Sequence, residues 1–278
     1  MKLLKISAFF IFLIVSHSCT EEKAVDNSNL VSVKSTAGDL NIEEVEYDVD
    51  GKSHRSYVAY KGDAEDLKPV VMVLPEWWGL NDYAKDRARQ LAELGYFAMA
   101  VDYYGEGKSV EDPEEAAKLS ADISKIPINA RLKFDKAKAQ LLKFSNADYN
   151  KIAVIGYCFG GAQALNMARQ QDELKGVVSF HGNLMTGIKP KNNDVKILVL
   201  NGAADTFVPA EEITAFKKQM DSAKIDYSFI NYPNALHSFT NPQATELGKK
   251  YNMKVAYNKE ADEKSWNEMK KFLTEIFK

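Results

Sequence analysis

The stretch Ile152-Ala153-Val154-Ile155-Gly156-Tyr157-Cys158-Phe159-Gly160-Gly161 decides the fold. Four apolar residues of strand character run into a glycine-flanked cysteine, and helical spacing follows from Gly161 to Arg169. The order strand, sharp turn, helix is that of a G-x-nucleophile-x-G elbow, with cysteine where serine is commoner. Such a turn strains the backbone at the nucleophile and leaves no room for side chains on either side, a demand that Gly156 and Gly160 meet. The helix N-terminus beneath favours thiolate and oxyanion charge, and the Phe159 amide is aimed where the oxygen of a tetrahedral intermediate would sit. Taken alone, Cys158 reads equally well as a small buried core residue.

Outward from the elbow, strand and helix signals alternate from about Ile42 to the end of the chain. Ile42 to Val49 and Ser53 to Tyr60 flank Asp50-Gly51 and predict an antiparallel hairpin. Val70 to Leu74, Tyr96 to Val101, Ile152 to Ile155, Val177 to Phe180, Ile197 to Leu200 and Tyr227 to Ile230 are short continuous apolar runs, as strands buried on both faces require. Helices are expected over Asp82 to Leu94, Pro113 to Ser124, Asn129 to Phe144, Gly161 to Arg169, Ala210 to Ser222 and Glu260 to Phe277. The expected fold is α/β, a mostly parallel eight-stranded sheet with helices on both faces. An antiparallel start suits the α/β-hydrolase architecture, while flavodoxin-like and Rossmann sheets give much the same alternation.

Composition narrows the function classes. The 278 residues are 45% apolar and 27% charged, with a net charge of −3 that offers no footprint for nucleic acid. Two cysteines, Cys19 and Cys158, cannot build a disulfide framework, and there is no His or Cys cluster of metal-ligand spacing. Lys2 and Lys5 followed by the apolar Ile6 to Val15 read as an export signal over residues 1–18. Ser16 to Cys19 resembles a bacterial lipobox, with Ser16 where that pattern prefers leucine and an unusual His17; ordinary cleavage after Ser18 is the alternative. On this reading Cys19 is lipidated and residues 19–41 form a flexible tether of roughly 25 Å reach. The domain at 42–278 then stands off a membrane it touches only through its anchor, in the periplasm or at the outer membrane.

Two further segments bear on Cys158. Leu198 to Asp205 ends a strand with Asp205 at its C-terminal edge, and Asn231 to Phe239 puts His237 in the loop after the last parallel strand. A thiol needs a base to ionise, the base needs a carboxylate to set its tautomer, and the order nucleophile, acid, histidine is that of α/β-hydrolases. The expected triad is Cys158, Asp205 and His237. His181 is a second candidate base, though its position between the nucleophile and acid segments suits a structural histidine better, and His54 reads as a solvated hairpin residue.

These pieces, with Val73 to Leu80, Val101 to Gly105, Phe180 to Gly182, Gly202 to Asp205 and His237 to Phe239, resemble the dienelactone hydrolase family over nearly all of residues 45 onward. The resemblance implies a Cys-His-Asp hydrolase without cofactor, in which Glu76 hydrogen-bonds the resting thiol. It also implies an oxyanion hole of the Trp77 and Phe159 amides. Tyr104 and Phe239, with Tyr103, are candidates for the substrate pocket, with core packing as an equal alternative; Trp78 reads as pocket wall or core. Dienelactone-cleaving members carry two arginines for the substrate carboxylate, and Glu106 and Asn241 stand at those positions here. The expected substrate is therefore a neutral small ester, lactone or thioester. A non-catalytic binding lipoprotein and an acyl esterase for polysaccharide decorations are the alternatives, on a monomer or small homo-oligomer.

Overall fold

The computed structural model describes residues 30–32, 39–63, 65–170, 173–191 and 194–278. The export signal and Cys19 lie outside them. The strands are β1 (Leu30–Ser32), β2 (Leu40–Val49), β3 (Lys52–Lys61), β4 (Lys68–Leu74), β5 (Phe97–Ala100), β6 (Ala147–Tyr157), β7 (Gly176–Phe180), β8 (Lys196–Gly202) and β9 (Tyr227–Tyr232). They form one sheet in the order β1-β2-β3-β5-β4-β6-β7-β8-β9. Pairings among β1, β2, β3 and β5 are antiparallel, and β5-β4-β6-β7-β8-β9 is parallel throughout. The eight expected strands are present. The ninth, β1, pairs with β2 inside the segment expected to be tether.

The helices are α1 (Asp82–Glu93), α2 (Pro113–Ser124), α3 (Pro127–Ala139), α4 (Phe159–Gln170), α5 (Ala210–Ala223), α6 (Ala244–Tyr251) and α7 (Lys259–Ile276). Strand side chains alternate between two cores because successive residues point to opposite faces. Val70, Met72 and Leu74 join Phe134, Leu165 and Phe216 under α3, α4 and α5. Val71 and Val73 join Leu91, Met269 and Leu273 under α1 and α7. Both faces are thus covered, which is why the parallel strands read as unbroken apolar runs. Of the seven α-helices among the described residues, α6 has no counterpart in the sequence reading.

His54 is fully buried rather than solvated, stacked on Tyr47 at 5.7 Å. Its Nδ1 donates to the Lys52 carbonyl at 3.0 Å, while Nε2 accepts from Lys133 Nζ at 3.0 Å. Because α3 lies across the hairpin and brings Lys133 over it, the histidine is cut off from water. Burial, with Lys133 and Lys52 close by, holds its pKa below the ordinary range.

Candidate active site

Four loops at the C-terminal ends of parallel strands supply the site, the usual location for ligands in open α/β sheets. Cys158 sits between β6 and α4 at φ 54°. A Cβ on Gly156 would lie 2.0 Å from the Gly160 carbonyl oxygen, and one on Gly160 would lie 2.2 Å from that of Leu74. Both glycines are therefore sterically required, as the elbow reading expected. The strained backbone is tied from behind: the Cys158 amide donates to the Phe180 carbonyl at 3.0 Å and to His181 Nδ1 at 3.1 Å.

His237 Nε2 lies 3.1 Å from Cys158 Sγ, and His237 Nδ1 lies 2.8 Å from Asp205 Oδ2. The second Asp205 oxygen accepts the Phe207 amide at 2.8 Å, so the carboxylate is fixed at both ends. Gly202 allows this loop to close, since a Cβ there would come within 2.4 Å of the Ala235 carbonyl oxygen. Burial opposes charge on His237, but the Cys158 sulfur and the Asp205 carboxylate outweigh it and push the imidazole up to about 10. The three side chains brought together from residues 158, 205 and 237 can therefore hold an imidazolium beside a thiolate.

His181 is not a second base. It is fully buried, its Nδ1 is taken by the Cys158 amide, and its Nε2 lies 2.7 Å from Thr240 Oγ1, which in turn meets the Tyr83 hydroxyl at 2.6 Å. Since Nδ1 accepts, Nε2 carries the proton and the ring is neutral. Burial and the nearby His237 and Arg87 hold its pKa well below normal. Its role is to brace the elbow.

Glu76 follows β4, is 1% exposed, and accepts a 2.7 Å hydrogen bond from Asn241 Nδ2. Among the described residues no hydrogen bond joins it to Cys158, and its Oε1 has no partner. The thiol contact that the resemblance implied is therefore replaced here by one to Asn241, while the thiol faces His237. Burial raises the Glu76 pKa, against hydrogen bonds from Asn241 and Ser238 and the charges of His237 and Arg87. The Phe159 amide opens α4 and so has no partner within the helix, and the Trp77 amide lies on the loop after β4.

A cavity of about 550 Å³ opens on Cys158 and His237. Trp77 and Trp78 line it, and Trp78 also packs with Val110 and Ala116, so it is both wall and core. Tyr104 and Phe239 do not line it. The Tyr104 hydroxyl donates to the Trp77 carbonyl at 2.7 Å, which supports that loop from behind. Phe239 is fully buried against His181 and Tyr232, because Ser238 at φ 56° turns the chain and directs the ring into the core. Glu106 is exposed and outside the cavity, so it introduces no acid there. Among the described residues the lining contains no Lys, Arg, Asp or Glu, and no group of His, Cys, Asp and Glu is placed to hold a metal. The sequence reading missed the lining from α2 and α6 and also Phe207, whose ring lies 5.0 Å from that of His237. The order of strand-end residues carried no signal for it.

Fold and elbow together define an α/β hydrolase. The chain matches the dienelactone hydrolase family over residues 55–277. It belongs to that family and is an ester hydrolase of its type. It is 28% identical to a protein named as a carboxymethylenebutenolidase from Yersinia pestis, over 79% of this chain and 83% of that one. It is also 28% identical to the protein usf of Aquifex pyrophilus, over 78% of this chain and 97% of that one. Among solved structures, a dienelactone hydrolase-like promiscuous phosphotriesterase from metagenomic libraries superposes with a TM-score of 0.80 at 32% identity, covering 87% of this chain and all of that one.

Proposed function

We propose that the protein hydrolyses small neutral esters, lactones or thioesters through a covalent acyl-Cys158 intermediate. The observation that carries this reading is the chain of contacts Cys158 Sγ, His237 Nε2, His237 Nδ1 and Asp205 Oδ2, at 3.1 and 2.8 Å. The Cys158 thiolate attacks the carbonyl carbon, and the displaced electron pair settles on oxygen between the Phe159 and Trp77 amides. Collapse of that adduct breaks the bond to the alcohol or thiol, which leaves with the proton from His237 Nε2. Water then attacks the acyl-cysteine as His237 takes its proton, and the carboxylic acid departs while the thiolate-imidazolium pair is restored. Asp205 holds the imidazole in register and offsets its positive charge.

A neutral substrate is favoured because, among the described residues, the lining offers no lysine or arginine to a carboxylate, and Asn241 stands where dienelactone-cleaving members carry an arginine. Turnover of phosphotriesters is a second reading, resting on the likeness to the metagenomic phosphotriesterase. We further propose that the protein is exported and carried on a lipid at Cys19. The test of the catalytic reading is hydrolysis of p-nitrophenyl acetate, a lactone panel and diethyl p-nitrophenyl phosphate by the parent, Cys158→Ala and His237→Ala. Turnover that both variants lose supports it. A parent no faster than the variants, with Cys158 inert to iodoacetamide, overturns it.

A further inference from the structure

The cavity has two chemically different ends. One face of α2, Ala117, Ser120, Ala121 and Ser124, borders it at the i, i+3, i+4, i+7 spacing of a single helical stripe, about 10 Å long. Toward the start of α2 the opposite wall is apolar: Trp78 and Ala116 pack together, with Trp77, Leu247 and Met253 against them. Toward its end the opposite wall is α4, which presents two carboxamides. Asn166 Nδ2 donates to Gln163 Oε1 at 3.1 Å, and Gln163 Nε2 reaches Ser124 Oγ at 3.3 Å, so the amides are tied across the cavity to α2.

This end is unfinished. Asn166 lines the cavity at only 4% exposure, and among the described residues its Oδ1 accepts no hydrogen bond. A buried carbonyl oxygen without a donor is costly, and packing against a stripe of alanines and serines does not by itself call for two carboxamides. Among the described residues no charged side chain lines this end, and Arg169, three residues on along α4, gives its guanidinium to Thr186, Leu184 and Gln219, so the missing donor belongs to a neutral group, a hydroxyl or an amide N–H.

We propose that this end is a specificity subsite, in which Asn166 accepts a hydrogen bond from a neutral hydroxyl or amide on one arm of the ester, while the other arm lies against Trp78, Leu247 and Met253. This deepens, and rests on, the esterase reading above. Asn166 follows Phe159 by seven residues of α4, which places the donor about 8–10 Å from the scissile carbonyl, an arm of roughly six to eight chain atoms. The substrate class is thus an ester with an apolar group on one side and a hydroxylated or amide-bearing group on the other.

The test uses the full chain and two matched pairs: hexyl butyrate with its ω-hydroxyhexyl analogue, and p-nitrophenyl hexanoate with its ω-hydroxy analogue. In one pair kcat/KM should favour the hydroxylated member roughly fivefold to tenfold, as one hydrogen bond allows. Asn166→Leu should erase that preference, bringing the ratio of kcat/KM between the two members of a pair to about one. Equal rates for both members of both pairs, or a preference that survives Asn166→Leu, overturns the subsite. Calorimetry with Cys158→Ala separates the two layers of the argument. A tighter Kd for a hydroxylated ester, lost when Asn166→Leu is added, supports the subsite whether or not the parent turns over. A parent that binds with this preference yet hydrolyses nothing overturns the esterase reading alone, and equal Kd values overturn the subsite.

Discussion

Asp205→Asn is the most informative single substitution. Asp205 is buried, with one oxygen held by the Phe207 amide and the other by His237 Nδ1, each at 2.8 Å. An asparagine must keep its oxygen toward the Phe207 amide and so turns its NH2 toward Nδ1. The proton then moves to Nε2, where it blocks acceptance of the thiol proton. Burial lowers the His237 pKa, and Cys158 together with Asp205 reverses this to reach about 10; a rise from 6.5 to that value corresponds to about 5 kcal/mol. If the carboxylate supplies around half, its loss brings the imidazolium titration down by about two pH units. We expect kcat/KM on p-nitrophenyl acetate to fall by about 10²–10⁴ near neutrality, and the alkaline limb to move from about pH 10 towards 8. Stability follows the same sign. Because the folded His237 pKa exceeds its unfolded value, the parent holds this contribution in full below about pH 6.5 and loses it as pH rises through about 10, while the variant has less to lose. A variant that keeps the parent's alkaline limb and more than about a tenth of its rate would refute the role given to Asp205.

Three other outcomes are expected. Asn241→Leu, which leaves the buried Glu76 carboxyl without its 2.7 Å donor, should cost about 1.5–3 kcal/mol in denaturant unfolding, and most of that loss should vanish when Glu76→Leu is already present. Gly160→Ala drives a Cβ to 2.2 Å from the Leu74 carbonyl oxygen, so soluble expression or the thermal midpoint should collapse; a melt within about 2 °C of the parent would mean the elbow relaxes freely. In cells, radioactive palmitate should label the parent and not Cys19→Ala; absence of label in the parent removes the anchor.

The parallel strands were legible because a strand covered on both faces must be apolar at every position, and Val70 to Leu74 is so whichever core each residue enters. By contrast, α6 was illegible. It is eight residues long, carries Gly248 where a Cβ would strike the Val255 carbonyl at 2.4 Å, and has Lys249 and Lys250 in its last turn, so neither length nor periodicity marks it. His54 misled because a polar hairpin says nothing of α3, nearly eighty residues later, closing over it. The candidate site divides in the same way. Cys158, Asp205 and His237 each follow a strand, and strand order alone places them together. The cavity wall comes from the sides of α2 and α6, whose small and polar residues look like any exposed helical face. Tyr104 and Phe239 were misplaced because closeness in sequence does not set direction, which at Phe239 depends on the single positive φ of Ser238.

Asn241 joins the two departures from the family pattern into one change. Where an arginine was expected to meet a substrate carboxylate, a neutral amide, 2% exposed, holds Glu76 instead. A cation at that position would have kept Glu76 ionised and drawn anions into the cavity. With Asn241 and Ser238 as hydrogen-bond donors and the charges of His237 and Arg87 nearby, burial still prevails and raises the Glu76 pKa. A carboxyl shifted upward in this way sets less negative charge beside the cavity than an ordinary carboxylate would. On the proposed esterase reading, the replacement that denies an arginine to an anionic substrate also leaves Glu76 bonded to Asn241 and Cys158 Sγ facing His237 Nε2 at 3.1 Å.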